Sequence, residues 1–365
     1  MKGALTVNGF SVFMDRDIDA ATELYIKQMA KAGFDGIFTS LHIPEDDPKQ
    51  YKKRLAKLGA LAQKNHLDLM VDIAGDVLFK AGFSLEQISE LKKLGVTGLR
   101  ADDQLSLQAI AQLSHEIFIG LNASTLIKDE LLKLKELDAD LTQIIAWHNY
   151  YPHPETGLDN SYFCKQNAFL KQNDLQVVAF IPGDDRLRYP LYQGLPTLES
   201  QRYLKPLLAY LELKALGVDG IYIGDSGLLP DSQKQFASLL NAGLIVLHAK
   251  RKTNDFSRVI GQHQNRKDVA RDVIRSAAAR LKVSEPILPE NTTFRAKGAL
   301  TLDNCDYGRY MGEFQLVKHD LKADPRVNVI GQVIEVELEL LAYIGAGQRF
   351  EIVEVKNNGS NEFNN

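Results

Sequence analysis

The feature that most constrains this chain is a short apolar segment that occurs eight times in about its first 240 residues. Helical periodicity follows most of these segments. An apolar run of this length between Gly or Pro residues is typical of a buried strand. The eight segments are residues 9–13, 36–41, 67–73, 98–100, 117–121, 143–146, 176–181 and 220–223. Strands and helices that alternate in this number predict an α/β protein, a closed (β/α)8 TIM barrel.

The turns between helices and strands support the barrel. Gly33-Phe34, Gly95-Val96 and Gly217-Val218 precede the second, fourth and eighth strands, where glycine ends a helix. A doubly wound open sheet is the rival architecture. It would place a glycine-rich phosphate turn after the first strand, where this chain has Phe13-Met14-Asp15-Arg16. We therefore predict a barrel domain over residues 1–245.

The sequence changes character near Val246. Residues 265–281 have a helical pattern, and short alternating runs follow at residues 298–302, 312–317, 327–333, 335–341 and 348–355. This pattern predicts a separate, mostly-β domain over residues 246–356. Residues 357–365, rich in Asn, are predicted to be a disordered tail.

The bulk composition excludes several classes of protein. The net charge of −4 indicates neither nucleic acid nor an anionic membrane as a partner. Cys164 and Cys305 form no CxxC pair, and no apolar run is long enough for a signal peptide or a membrane span. We expect a soluble cytoplasmic protein, and the sequence leaves its oligomeric state open.

Polar and aromatic residues are concentrated after the sixth strand, where Ile-Ile-Ala-Trp is followed by His-Asn-Tyr-Tyr-Pro-His-Pro-Glu-Thr-Gly-Leu. His148, Asn149, Tyr151, Glu155 and Thr156 lie in this exit segment. Because barrel sites form at the carboxyl ends of strands, these side chains are candidate site residues. The alternative is a capped loop of ordinary turn residues, and a single His such as His148 is more often a satisfied core residue.

Five carboxylates follow strands, which suits glycoside hydrolysis by a proton donor and a second carboxylate. The candidate catalytic residues are Glu45, Asp72, Asp102, Glu155 and Asp225. Asp72 follows a strongly apolar stretch and is the first choice for the donor, because burial favours a protonated carboxyl group. Asp225 is the second choice. The alternatives are helix N-caps for Asp72 and Asp225 and a solvated acidic loop for Glu45.

Other chemistries are disfavoured. No Lys ends a strand, no His-x-His pair follows the first strand, and no Ser occupies a nucleophile elbow. We expect neither a metal nor a cofactor. Arg186 and Arg188 follow the seventh strand, where barrels often bind phosphate; the alternative is an exposed surface pair. The binding candidates in the barrel are Ser40, His42, Arg100, Asn122, His148, Asn149, Tyr151, Thr156 and Arg186.

Several motifs together resemble the bacterial 6-phospho-N-acetylmuramidase family. They are residues 33–45, His-Asn-Tyr-Tyr-Pro at 148–152, Glu-Thr-Gly-Leu at 155–158, residues 194–199, residues 223–225, and residues 303–313, which contain Tyr-Gly-Arg-Tyr. The resemblance extends over nearly the whole chain. It implies a TIM barrel followed by a small cyclophilin-like domain. It also implies hydrolysis of the β-1,4 bond of N-acetylmuramic acid 6-phosphate–N-acetylglucosamine, a small phosphorylated disaccharide, during cell-wall recycling.

The second-domain motif adds Tyr307 and Arg309 as substrate-binding candidates. We expect Arg100, Arg186 or Arg309 to contact the phosphate or the lactyl group, and the second domain to cover part of the barrel mouth. The family's His-Asn-Phe-Tyr-Pro-Arg pattern ends here with His153 in place of Arg. A sugar-phosphate isomerase or epimerase and a non-catalytic sugar-phosphate binding protein are the alternative functions.

Overall fold

The computed structural model describes residues 8–41, 48–73, 88–101, 105–283 and 285–355. The chain forms two compact units, residues 1–237 and 238–365. The predicted disordered tail, residues 357–365, lies outside the described residues.

Eight parallel strands close into a barrel in the first unit, which confirms the predicted fold class. Each strand pairs with the next one along the chain, and the eighth pairs with the first, with Phe10 opposite Ile223. A closed barrel has no open edge, so the doubly wound alternative is excluded. The strands are β1 (Asn8–Ser11), β2 (Gly36–Ser40), β3 (Asp68–Ile73), β4 (Gly98–Ala101), β5 (Phe118–Asn122), β6 (Ile144–Trp147), β7 (Gln176–Ile181) and β8 (Gly220–Ile223).

Helices connect the strands. Within the described ranges they are α1 (Ala20–Lys31), α2 (Pro48–Lys64), α3 (Ile88–Lys93), α4 (Leu107–Ser114), α5 (Lys128–Glu136), α6 (Asn160–Gln172), α7 (Pro206–Ala215) and α8 (Pro230–Ala242). Helix α1 begins where the Asp19 carboxylate accepts a hydrogen bond from the Thr22 amide at 2.8 Å. None of the helices in these ranges combines the length and the apolar character needed to span a bilayer.

Large side chains fill the interior of the barrel. Trp147 and Tyr222 are fully buried, with ring centroids 4.7 Å apart. Gly9 and Gly36 make room for Tyr222, because a Cβ would lie 2.0 Å from its ring at Gly9 and 2.3 Å from its hydroxyl at Gly36. The interior of the barrel around Tyr222 is therefore a packed core.

The second unit is built on a mixed sheet, in agreement with the predicted mostly-β domain. The strands are β9 (Leu244–Arg251), β10 (Gly261–Gln264), β11 (Val273–Arg275), β12 (Ala299–Asp303), β13 (Phe314–Val317), β14 (Val327–Val333) and β15 (Arg349–Glu354). Their order in the sheet is β10-β15-β9-β14-β12-β13-β11, with β9 and β15 parallel and the other neighbours antiparallel.

The helix predicted over residues 265–281 was wrong. Asn265 is buried, and its side-chain Nδ2 donates to the Ile344 and Gly345 carbonyls. Its side-chain Oδ1 accepts a hydrogen bond from the main-chain amide of Arg275. Residues 273–275 then form β11, with Ile274 buried. These tertiary bonds hold the segment extended and override its local helical pattern.

The strand predicted over residues 335–341 was also wrong. The segment is a 3-10 helix, Glu335–Tyr343. The Glu337 carboxylate accepts hydrogen bonds from the His248 amide at 2.6 Å and contacts its Nδ1 at 2.8 Å. Glu337 is buried together with Leu340 and Leu341, so the alternation of Glu with apolar residues does not separate an exposed face from a buried one.

Candidate active site

A cavity of about 140 Å³ lies at the carboxyl ends of the barrel strands. It is lined by Phe38, Ser40, Asp72, Arg100, Asn149, Tyr150 and Phe180. We call it the Asp72 cavity. Of the predicted site residues, the structure brings Ser40, Asp72, Arg100 and Asn149 together here. This is the end of a β/α barrel where active sites form.

The strand register places three polar side chains of this cavity side by side. Ser40 on β2 is opposite Asp72 on β3, and Asp72 is opposite Arg100 on β4. The Asp72 carboxylate accepts from Arg100 Nη1 at 2.6 Å and from Ser40 Oγ at 3.0 Å. Arg100 Nη2 also donates to Asn149 Oδ1. Ser40, Asp72 and Arg100 are thus held by three adjacent strands, whereas Asn149 lies in the segment that follows β6.

This network is almost entirely buried. The Arg100 and Asp72 side chains are only 4% and 10% exposed. A guanidinium at hydrogen-bond distance stabilises the ionised carboxylate, and the pair would be costly to break in a buried setting. The geometry therefore favours Asp72 as an anion, whereas the role predicted for it from the sequence was that of proton donor.

Aromatic rings form the apolar wall of the Asp72 cavity. The Tyr150 ring centroid is 6.1 Å from that of Phe38 and 5.2 Å from that of Phe180. Such faces pack against the apolar side of a sugar ring. Tyr150 was not among the predicted residues, although it directly follows Asn149. Tyr151 was chosen instead, and its hydroxyl lies 3.5 Å from Ser124 Oγ, outside the residues that line the cavity.

His148 does not line the Asp72 cavity. Its Nδ1 is 2.9 Å from Ser124 Oγ and its Nε2 is 2.8 Å from Asn167 Oδ1, and the ring packs against Phe163. Burial lowers the pKa of His148 to about 4, so the ring is neutral near pH 7. The structure matches the alternative considered for this residue, a satisfied core histidine.

Asp225 is buried beside a different loop. Its carboxylate accepts from the amides of Gly183 at 2.9 Å, Leu195 at 3.0 Å and Arg188 at 3.1 Å. Burial raises the pKa of Asp225, and the three amide donors oppose that shift. All three amides belong to residues 183–195, which follow β7. Asp225 therefore anchors this loop and is not among the side chains that line the Asp72 cavity.

An ion pair between Glu199 and the buried Arg202 joins the loops that follow β6 and β7. Glu199 accepts hydrogen bonds from Arg202 and from the amides of Glu155 and Gly157. Arg202, with a fully buried side chain, also donates to the carbonyls of Tyr151 and Gly194. The Arg202 guanidinium, followed by the amide donors, lowers the pKa of Glu199 to about 2.

The loop joined by this ion pair contains two of the predicted site residues, Glu155 and Thr156. The Glu155 side chain is exposed, and only its amide takes part in the bonding to Glu199. Thr156 is exposed and closes a turn through a bond from its hydroxyl to the His153 carbonyl at 2.7 Å. Neither side chain lines the Asp72 cavity.

Four more predicted residues lie elsewhere. Asn122 caps a turn by accepting from the Ser124 amide at 3.0 Å. Arg186 lines a second cavity of about 290 Å³. In the second unit, the Arg326 guanidinium lies 4.5 Å from the centre of the Tyr307 ring, and Arg309 donates to the Tyr310 hydroxyl. Substrate contact by Tyr307 and Arg309, and a lid over the barrel mouth, stay predictions.

The remaining predicted residues, His42, Glu45 and Asp102, lie outside the described residues. Their roles stay predictions. Among the side chains that the structure describes, no three of the types His, Cys, Asp and Glu are grouped so as to hold a metal ion.

The chain was compared with known families and structures. A model of the N-terminal part of 6-phospho-N-acetylmuramidase matches residues 8–238, and a model of its C-terminal part matches residues 245–353. A conserved Enterococcus faecalis protein of unknown function has a similar structure, with 42% identity, coverage of 96% of this chain and 97% of that one, and a TM-score of 0.89. An uncharacterised B. cereus protein is 25% identical over 95% of this chain and 99% of its own, with a TM-score of 0.74. The comparison with curated proteins gave no match. On the evidence of both family models, the chain belongs to the 6-phospho-N-acetylmuramidase family.

Proposed function

We propose that this protein is a cytoplasmic glycosidase of cell-wall recycling. Its substrate is N-acetylmuramic acid 6-phosphate–N-acetylglucosamine, and it hydrolyses the β-1,4 bond between the two sugars. The observation that carries the proposal is the buried Asp72 carboxylate, fixed by Arg100 and Ser40 beside the face of Tyr150. Family membership supplies the substrate class.

Asp72 acts as the anion of the reaction. It either serves as the second carboxylate, as nucleophile or base, or orients the acetamido group of the substrate. Arg100 keeps it charged and holds its position, while Ser40 and Asn149 offer polar atoms to sugar hydroxyls. Tyr150, Phe38 and Phe180 provide the apolar faces for a pyranose ring.

The proton donor comes from a neighbouring strand. Asp72 is the one carboxylate that lines its cavity within the described part of the chain. Asp102 follows β4 directly and Glu45 comes five positions after the end of β2, and these two strands flank β3. We therefore assign the donor role to one of these two residues. Glu45→Gln and Asp102→Asn test the assignment, and the donor variant should lose about 10²–10⁴-fold in turnover.

The decisive experiment incubates the purified protein with the phosphorylated disaccharide and separates the products. A hydrolase releases N-acetylmuramic acid 6-phosphate and N-acetylglucosamine. An isomerase or epimerase gives a product of unchanged mass, and a binding protein returns the substrate intact. Either of these last two outcomes overturns the proposal. Asp72→Asn is the control that links any release of monosaccharides to this cavity.

A further inference from the structure

The barrel unit contains a second cavity, of about 290 Å³, formed by the loops after β1 and β7. Its lining includes Phe13, Arg16, Thr22, Tyr25, Arg186 and Arg188. We propose that this cavity is the subsite for the phosphate group of the substrate, with Arg186 and Arg188 as its anion-binding side chains. The inference rests on the proposed function for the identity of the ligand as a sugar phosphomonoester.

The new cavity adjoins the Asp72 cavity through one pair of side chains. Arg188 Nη1 donates to the Tyr150 hydroxyl at 2.7 Å. Arg188 lines the larger cavity, and Tyr150 lines the Asp72 cavity. A sugar ring packed on Tyr150 therefore has its substituents within reach of the Arg188 guanidinium. This is the arrangement that a phosphorylated sugar needs, with its ring at the reacting carboxylate and its anionic group one side chain away.

The charges of the cavity favour an anion. Three of its lining residues are arginines, Arg16, Arg186 and Arg188, against two aspartates, Asp15 and Asp17. Asp17 already forms ion pairs with Lys53 at 3.1 Å and Arg54 at 3.0 Å. The lining therefore has a formal excess of one positive charge, and Asp185 lies outside the lining, 3.5 Å from Arg186 Nε. Paired guanidinium donors match the oxygens of a phosphate better than a single ammonium group does.

Both arginines are held in position by the fold. The Arg186 guanidinium lies over the Tyr25 ring, 4.5 Å from its centre, and its buried Nε lies 3.5 Å from Asp185 Oδ2, an ion pair without a hydrogen bond. The Arg188 guanidinium lies 4.1 Å from the centre of the Phe13 ring, and its amide is fixed by Asp225. Stacking on a ring leaves the N–H edges of a guanidinium available to a ligand. The loops after the seventh and eighth strands are also where β/α barrels often bind phosphate.

The test is binding of small probes by calorimetry, which does not require turnover. The probes are N-acetylglucosamine 6-phosphate, N-acetylglucosamine and N-acetylmuramic acid. We expect the wild type to bind the phosphorylated sugar more tightly than the neutral one. Arg186→Gln and Arg188→Gln should each weaken binding of the phosphorylated sugar about ten- to a hundredfold. Arg188→Lys, which keeps the charge but loses the paired donors, should weaken it less.

Arg271→Gln is the matched control, because Arg271 is 89% exposed on the second unit. Unchanged binding of the phosphorylated sugar by both cavity variants overturns the inference. It is also overturned if the two variants weaken only N-acetylmuramic acid, since the cavity would then bind the lactyl carboxylate. Phosphate-dependent binding without any hydrolysis of the disaccharide would refute the proposed function and leave the subsite intact. Hydrolysis of the disaccharide that neither variant slows would refute the subsite and leave the proposed function intact.

Discussion

Two buried aspartates at the mouth of the barrel, Asp72 and Asp225, have different partners. Asp72 is bonded by the side chains of Arg100 and Ser40, and it lines a cavity. Asp225 is bonded by three main-chain amides of the loop after β7. Side chains can exchange their partners for a substrate, whereas amides fixed in a loop cannot. The nature of the partner, more than depth or position along a strand, distinguishes Asp72, which we propose to be reactive, from Asp225.

The largest effect on turnover is expected from replacement of Asp72. Asp72→Asn keeps the size of the side chain but removes its charge. Turnover of the phosphorylated disaccharide should fall by about 10²–10⁴-fold. Product release measured under saturating substrate checks this, with circular dichroism to verify that the variant is folded. Wild-type turnover in a folded Asp72→Asn variant would remove the distinction between the two aspartates.

Replacement of Asp225, which is bonded by main-chain amides, should affect stability first. Asp225→Ala leaves three buried amides without their acceptor, and each costs about 1–3 kcal/mol. We expect a loss of about 3 kcal/mol or more in the free energy of unfolding, together with faster hydrogen exchange at the amides of Gly183, Arg188 and Leu195. Urea unfolding and exchange mass spectrometry measure these changes. Asp225→Asn, which retains one acceptor oxygen, should lie between Ala and the wild type.

Glu199 extends the comparison to a carboxylate that binds both a cation and amides. Glu199→Gln should lower the free energy of unfolding by about 1–2 kcal/mol at pH 7. The pKa of Glu199 is about 2 in the folded protein, below the ordinary value of 4.5 for a glutamate. Its contribution is therefore complete above about pH 4.5 and is lost as the pH falls through 2. Across this pH range, the free energy of unfolding of the Glu199→Gln variant should depend less on pH than that of the wild type.

The control for Glu199 is Glu136→Gln, which removes an exposed pair with Lys133. It should change stability by less than about 0.5 kcal/mol. Equal effects of the two substitutions would contradict the role of Glu199 in joining the loops.

The smallest effect concerns His148, a buried group with neutral partners. Its pKa is about 4 in the folded protein, below the ordinary value of 6.5 for a histidine. The unfolded chain therefore gains a proton that the folded protein does not, and stability falls as the pH decreases from 6.5 towards 4. Between pH 6.5 and 5.5 the loss should be about 1 kcal/mol. Subtraction of the His148→Gln unfolding curve from that of the wild type isolates it, and parallel curves would refute the assignment.

The sequence predicted the barrel because strands covered on both faces are continuous apolar runs, and such runs need no knowledge of distant partners. It also predicted that Ser40, Asp72 and Arg100 would share the mouth, since they end adjacent parallel strands. The sequence did not indicate that the Asp225 carboxylate binds main-chain amides of the loop after β7, because these three amides lie some 30 to 42 positions away. Local patterns cannot indicate which loop folds back onto a strand end.

Partners far away in sequence also explain why two segments of the second unit and the ion pair between the loops were not predicted. Asn265 and Glu337 redirect their segments through bonds to residues about 80 to 89 positions away. The Glu199–Arg202 pair was likewise not predicted, although the residues 194–199 that contain Glu199 were part of the family resemblance. A buried Arg only three residues after Glu199 was the available signal, and its meaning depended on the carbonyls of a loop elsewhere.

The order of strands in the second unit has a consequence for synthesis on the ribosome. The barrel pairs each strand with the one made just before it and closes once β8 has emerged. The sheet of the second unit has β15, the last strand that the structure describes, between β9 and β10, the first two strands of this unit. Strand β10 has to wait for its neighbour until some 85 further residues have been added. We therefore expect nascent chains arrested before residue 349 to carry a protease-resistant barrel followed by a protease-sensitive second unit.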